Sequence, residues 1–172
     1  MADKATGNIS ASVMSDFAKK TMGGTLSYEP ANTGDQWIYV ETIIDAASVA
    51  LIADGRQYAE RYIRADEGTE KIADSADIVR WMGIKHTGTS DGSTATSSGI
   101  VVSLDAAGNA AFGEVEGFFI DSGEFFCFKT PACTLATIGA ISVTVTNGIP
   151  VTADSPGDVL VQVAAILDNV AS

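Results

Sequence analysis

The chain has 172 residues, with 10 basic against 22 acidic side chains and one His, a formal charge of −12. That charge disfavours nucleic acid as a direct partner, since phosphate binding needs clustered Lys and Arg that release counterions. Only Lys129 is basic after His86. A chain of this length can bury about two thirds of its unfolded surface without cross-links. The 14 Val, 15 Ile and 16 Thr outnumber 6 Leu, and β-branched residues at this excess favour pleated sheet.

Residues 10–22, SASVMSDFAKKTM, place Val13, Met14 and Phe17 at helical spacing, with Ser10 or Ser12 as N-cap and Gly23–Gly24 as stop. This predicts a short amphipathic helix that docks on its own domain or on a neighbour. The following SYEPANTGD reads as a linker. The predicted organisation is an arm over residues 1–35 and a β domain over residues 36–172.

QWIYVETII reads as the first strand of that domain, and ASVALIA leads to Asp54–Gly55, a hairpin turn signal. RQYAERYIRADEG is read as the returning strand. In IVRWMGIK, Ile78, Arg80, Met82 and Ile84 alternate with Val79, Trp81, Gly83 and Lys85. A Ser/Thr/Gly loop of about a dozen residues separates that strand from GIVVSL. GFFIDSGEFFCFK predicts a second hairpin around Asp121–Ser122–Gly123, with aromatics at both parities. In the last strand, Val159, Val161, Val163 and Ala165 face opposite to Leu160, Gln162, Ala164 and Ile166. About eight short strands without alternating helices predict an antiparallel β-sandwich or jelly roll.

Signals for chemistry are sparse. His86 is the only imidazole, so a Ser-His-Asp or Cys-His mechanism would have to use it. Cys127 and Cys133 have neither metal-ligand nor disulfide-framework spacing, and are read as reduced thiols. Glu114 with Glu116, and Asp74 with Asp77, are weak candidates for a carboxylate pair. Asp91–Gly92–Ser93 and Asp105–Asn109 offer only fragments of a cation loop. The expectation is a protein that is not an enzyme, uses no cofactor and has no assigned metal ligands, with a structural cation left open. The uncharged stretch 130–153 carries two Pro, Asn147, Gly148 and six Thr, and reads as strands rather than a membrane span. The start has no secretory apolar run, so cytoplasmic synthesis without secretion is expected. Strands apolar on both parities, with mean hydropathy +0.19, predict a homo-oligomer, a trimer first.

The stretch 75–129 resembles the small head decoration, or cement, proteins of tailed bacteriophages. The likeness is carried by WMGIKHTGT, the Ser/Thr-rich loop, the apolar strand closing on Leu104–Asp105, and the turn through IDSGE. It covers about a third of the chain. It implies a β-sandwich bound, commonly as trimers, to the outer surface of a phage head, where it clamps neighbouring capsomers of the major capsid protein. On that reading Val13, Met14 and Phe17 are apolar anchors of the arm, with Tyr28, Trp37 and Tyr39 leading into the domain. Two alternatives stand beside it. One is another virion part, a tail tube or head-fibre base; the other is a carbohydrate-binding jelly roll in which Trp37 or Trp81 stacks on a sugar.

Overall fold

A computed structural model describes residues 4–13, 20–30, 35–44, 49–52, 73–74, 76–102, 118–131, 133–134, 142–146 and 157–168. Among these the chain is mainly β, with no helix, and every strand pairing is antiparallel. In chain order the strands are β1 (Ala5–Val13), β2 (Lys20–Tyr28), β3 (Asp35–Ile44), β4 (Val49–Ala50) and β5 (Ile78–His86). They continue with β6 (Gly99–Val102), β7 (Phe118–Ile120), β8 (Phe125–Lys129), β9 (Ser142–Thr146) and β10 (Val159–Asp168). They form the pair β1-β2 and two four-stranded sheets, ordered β3-β10-β5-β8 and β4-β9-β6-β7.

The helix expected over residues 10–22 is corrected where the chain is described. Ser10–Val13 ends β1 and Lys20–Met22 opens β2, with Ala5 opposite Tyr28 and Val13 opposite Lys20. A full-length antiparallel ladder satisfies these backbone groups, so the i, i+1, i+4 spacing of three apolar side chains does not decide the conformation. Met14 and Phe17 lie outside the described residues, as do the Asp54–Gly55 turn and the strand expected after it.

The two four-stranded sheets share one buried cluster. It takes Ile38, Val40 and Ile44 from β3, Val79, Met82 and Ile84 from β5, and Val159, Val161, Val163, Ala165 and Leu167 from β10. The other sheet adds Ile100 and Val102 from β6 and Ile120 from β7. The alternation read in β10 holds from Val159 to Ile166: the odd residues enter this cluster, while Ile166 joins a second one on the opposite face. In β5 the alternation breaks. Ile166 pairs with Trp81 but Leu167 with Val79, so Arg80 is the extra residue of a bulge. This is why Val79 and Met82, three apart, share the core.

The turn at Asp121–Ser122–Gly123 is present: Glu124 N–H donates to Asp121 O at 3.0 Å, and Gly123 has φ +80°. It does not close a hairpin. β7 pairs with β6 and β8 with β5, so the chain passes from one sheet to the other. The Ser/Thr loop makes a similar crossing, between β5 and β6.

Candidate functional site

The face of the β3-β10-β5-β8 sheet opposite the shared core is built in register rows. The first is Trp37, Ile166, Trp81 and Lys129; the second is Tyr39, Ala164, Gly83 and Cys127; the third is Glu41, Gln162, Lys85 and Phe125. The β1-β2 pair covers part of this face. Ala5, Trp81, Cys127 and Ile166 form its buried cluster, with Leu26, Tyr28, Trp37 and Ala164 packed against it. Trp81 is 5% exposed; at about 25 cal/mol per Å² over 150–250 Å², burying such a side chain is worth on the order of 4–6 kcal/mol. Trp37 and Trp81 meet with ring centroids 6.3 Å apart.

Glycine sets how closely the layers approach. A Cβ on Gly7 would lie 2.3 Å from Cys127 Sγ, and one on Gly83 would lie 2.7 Å from the Trp81 ring and 3.0 Å from Phe125. β1 therefore rests directly on β8, and the Trp81 and Phe125 rings close over β5. Two hydrogen bonds pin the base of the pair: Lys129 Nζ donates to Ser27 O at 2.8 Å, and Tyr28 Oη to Asp35 Oδ2 at 2.9 Å. Burial first, then the bond to Asp35, pushes the Tyr28 phenol up to about 12. Farther along, Asn8, Ser10, Gly23, Gly24 and Thr25 are exposed, and among the described residues nothing lies within 4 Å of where a Gly24 side chain would begin.

The predicted partner-contact residues thus separate. Tyr28 and Trp37 come together under the β1-β2 base. Val13 ends β1 opposite Lys20. Tyr39 is 52% exposed, its hydroxyl donating to Glu41 Oε1 at 2.7 Å, where Gln162 Nε2 also donates at 2.8 Å. Both bonds hold the Glu41 carboxyl below its ordinary range. Ile43 and Phe125 are exposed on this face too. Sequence reasoning passed over Glu41, Ile43 and Phe125, although the parity of β3 puts residues 37, 39, 41 and 43 on one side. Buried Trp81 offers no open ring for a sugar.

Beside the β1-β2 base lies an open cleft of about 480 Å³ lined by Tyr28, Arg80, Lys129, Thr130 and Pro131. The bulge brings Arg80 there, where it pairs with Asp168 and donates to Pro131 O at 2.9 Å.

His86 is fully buried. Gly88 N–H donates to its Nδ1 at 2.9 Å, which leaves the proton on Nε2, 2.7 Å from Ser98 O. Both ring nitrogens are thus occupied in holding the ends of the Ser/Thr loop, and neither can relay a proton to a nucleophile in this arrangement. Asp91 organises the loop tip. Its Oδ1 accepts from Ser93 and Thr94 N–H and from Ser93 Oγ, and its Oδ2 accepts from Thr94 Oγ1. These donors hold its carboxyl far below the usual range. The fragment read as part of a cation loop therefore turns its oxygens to local donors. Among the described residues no group of three or more His, Cys, Asp or Glu is placed to hold a metal, and both cysteines are free thiols.

No protein-family model matches the chain, and no curated protein matches it.

Proposed function

We propose that this chain is a structural protein of a tailed-phage virion, a head decoration protein that binds the outer surface of a shell of major capsid protein and reinforces capsomer contacts. The reading takes the two four-stranded sheets with their common core as a β-sandwich of jelly-roll type. It has copies gather about a three-fold axis on the shell, as the resemblance implies, after synthesis in the host cytoplasm. It requires neither catalysis nor a cofactor.

The observation that supports this reading best is the β1-β2 pair. Its base is fixed on the sheet through Ala5, Gly7, Leu26 and Tyr28, while Gly24, at the next position of the same facing, is exposed with no described residue within 4 Å of its Cβ direction, so the pair runs on past the sheet. A strand pair held at one end is an arm with a set direction, and so loses less conformational entropy on docking than a disordered tail. The net charge of −12 suits a basic docking surface. Co-sedimentation of the full chain with undecorated phage heads tests the proposal. The chain is expected to pellet with heads to a saturating stoichiometry; a chain left in the supernatant at every head concentration refutes it.

A further inference from the structure

The two edges of β3 differ. β10 pairs with one edge along its whole length, from Ile44 opposite Val159 to Asp35 opposite Asp168. The direction of the backbone groups follows from β10. Leu160 N–H donates to Thr89 O and Leu160 O accepts from Thr87 N–H, both on the β5 side. Even-numbered residues of β10 from Leu160 to Ala164 therefore address β5, and Val161, Val163 and Ala165 address Thr42, Val40 and Ile38. It follows that the N–H and C=O groups of Tyr39, Glu41 and Ile43 point away from β10. Among the described residues β3 ends its sheet there, with Tyr39 52% and Ile43 49% exposed.

Natural edges are guarded by Lys, Pro, a bulge or short length. Ile38–Ile44, IYVETII, has no Lys, Pro or Gly, carries five β-branched residues and one charge, and pairs with β10 without a register shift. We propose that this edge pairs with the same edge of a second copy, antiparallel about a two-fold axis, so that two four-stranded sheets become one of eight strands. A two-fold contact is self-complementary, and the outward row Trp37, Tyr39, Glu41, Ile43 meets that demand in one register. Backbone direction requires odd residues to face odd residues. Centring on Glu41 would set the two carboxylates opposite each other, which is destabilising. Centring on Tyr39 would set Trp37 against Glu41. Centring on Val40 pairs Trp37 with Ile43, an aromatic with a β-branched residue, and Tyr39 with Glu41, so within the row from Trp37 to Ile43 no charge meets its like. This contact is independent of the capsid reading; if copies also gather about a three-fold axis, it joins one trimer to another.

Sedimentation equilibrium of the full chain at high protein concentration tests the inference. Glu41→Pro removes an outward N–H without taking a donor from the β10 ladder. Ile43→Lys puts an edge guard at a half-exposed position, and Tyr39→Lys sets an ammonium opposite each Glu41 of the pair. The parent mass is expected to be an even multiple of 17.8 kDa. Glu41→Pro and Ile43→Lys should each halve it, and Tyr39→Lys should keep it while making association weaken with salt. If circular dichroism shows that Glu41→Pro does not fold, Ile43→Lys decides. A parent mass that is an odd multiple, folded edge variants of unchanged mass, or a folded Tyr39→Lys variant that dissociates at low salt overturns the inference.

Discussion

Gly7→Ala probes the contact that makes the N-terminal strand pair part of the folded domain. An added Cβ sits 2.3 Å from Cys127 Sγ, whereas nonbonded heavy atoms rest at about 3.5–4.0 Å. Cys127 is 4% exposed, so the thiol has little room to turn aside and β1 must lift. Overpacking of this kind costs about 1–3 kcal/mol. Against it, Ala is better than Gly inside a strand by about 0.5–1 kcal/mol. The net loss should be about 1–2 kcal/mol, a fall in Tm of roughly 2–8 °C for a chain of this size. Thermal unfolding and thiol labelling read the two halves of the argument. Burial pushes the Cys127 thiol up, so in a Cys133→Ser background the parent should label slowly and Gly7→Ala faster. With Cys127→Ala the opposing sulfur is gone, and adding Gly7→Ala should then be neutral or stabilising, a coupling of about 1–3 kcal/mol. A Gly7→Ala variant that raises Tm with Cys127 in place refutes the packing.

Three further outcomes follow from the same contacts. The Tyr28 phenol is raised to about 12, so its contribution is complete below pH 10 and lost as pH rises through 12. An ultraviolet titration should show a late-ionising tyrosine that Tyr28→Phe removes, with about 1 kcal/mol of stability lost at neutral pH; an unchanged titration speaks against the Asp35 bond. The Asp91 carboxyl is lowered, so its support for the loop is full above the ordinary carboxylate range and declines on acidification below it. Asp91→Ala should therefore speed amide exchange at Ser93 and Thr94 at neutral pH, and equal rates in variant and parent would contradict the capping role. Gly83→Ala pushes on Trp81 and Phe125; it should alter tryptophan fluorescence and cost about 1–3 kcal/mol, and a neutral result would mean that the rings are not packed over β5.

Much of the sheet was legible in the sequence because one-sided burial imposes a period of two. β10 announces both its faces, and β3 carries its outward row in Trp37, Tyr39, Glu41 and Ile43. The Asp121–Gly123 turn was legible as well, since Gly123 supplies the positive φ it needs. Turn chemistry fixes a reversal but not the partners of the flanking strands, so the passage of β7 and β8 into different sheets was hidden. The Arg80 bulge was hidden too: an extra residue changes parity without a compositional mark, and Val79 moved to the face opposite its expected one. The N-terminal segment misled because Val13, Met14 and Phe17 suit a helix over a few residues, whereas the pairing of Ala5–Val13 with Lys20–Tyr28 depends on a register no short window contains. Gly7 shows the same limit at the site, since its meaning lies in Cys127, far along the chain.

The most direct test of the decoration reading is the temperature at which DNA-filled phage heads release their DNA, measured with and without saturating protein. The parent chain is expected to raise it. The paired change Asn8→Lys with Thr25→Lys, which replaces an exposed hydrogen-bonded rung of the arm with opposed ammonium groups set against a basic docking surface, should bind less and protect less while the domain still melts cooperatively. A release temperature unmoved by saturating parent protein would contradict the account.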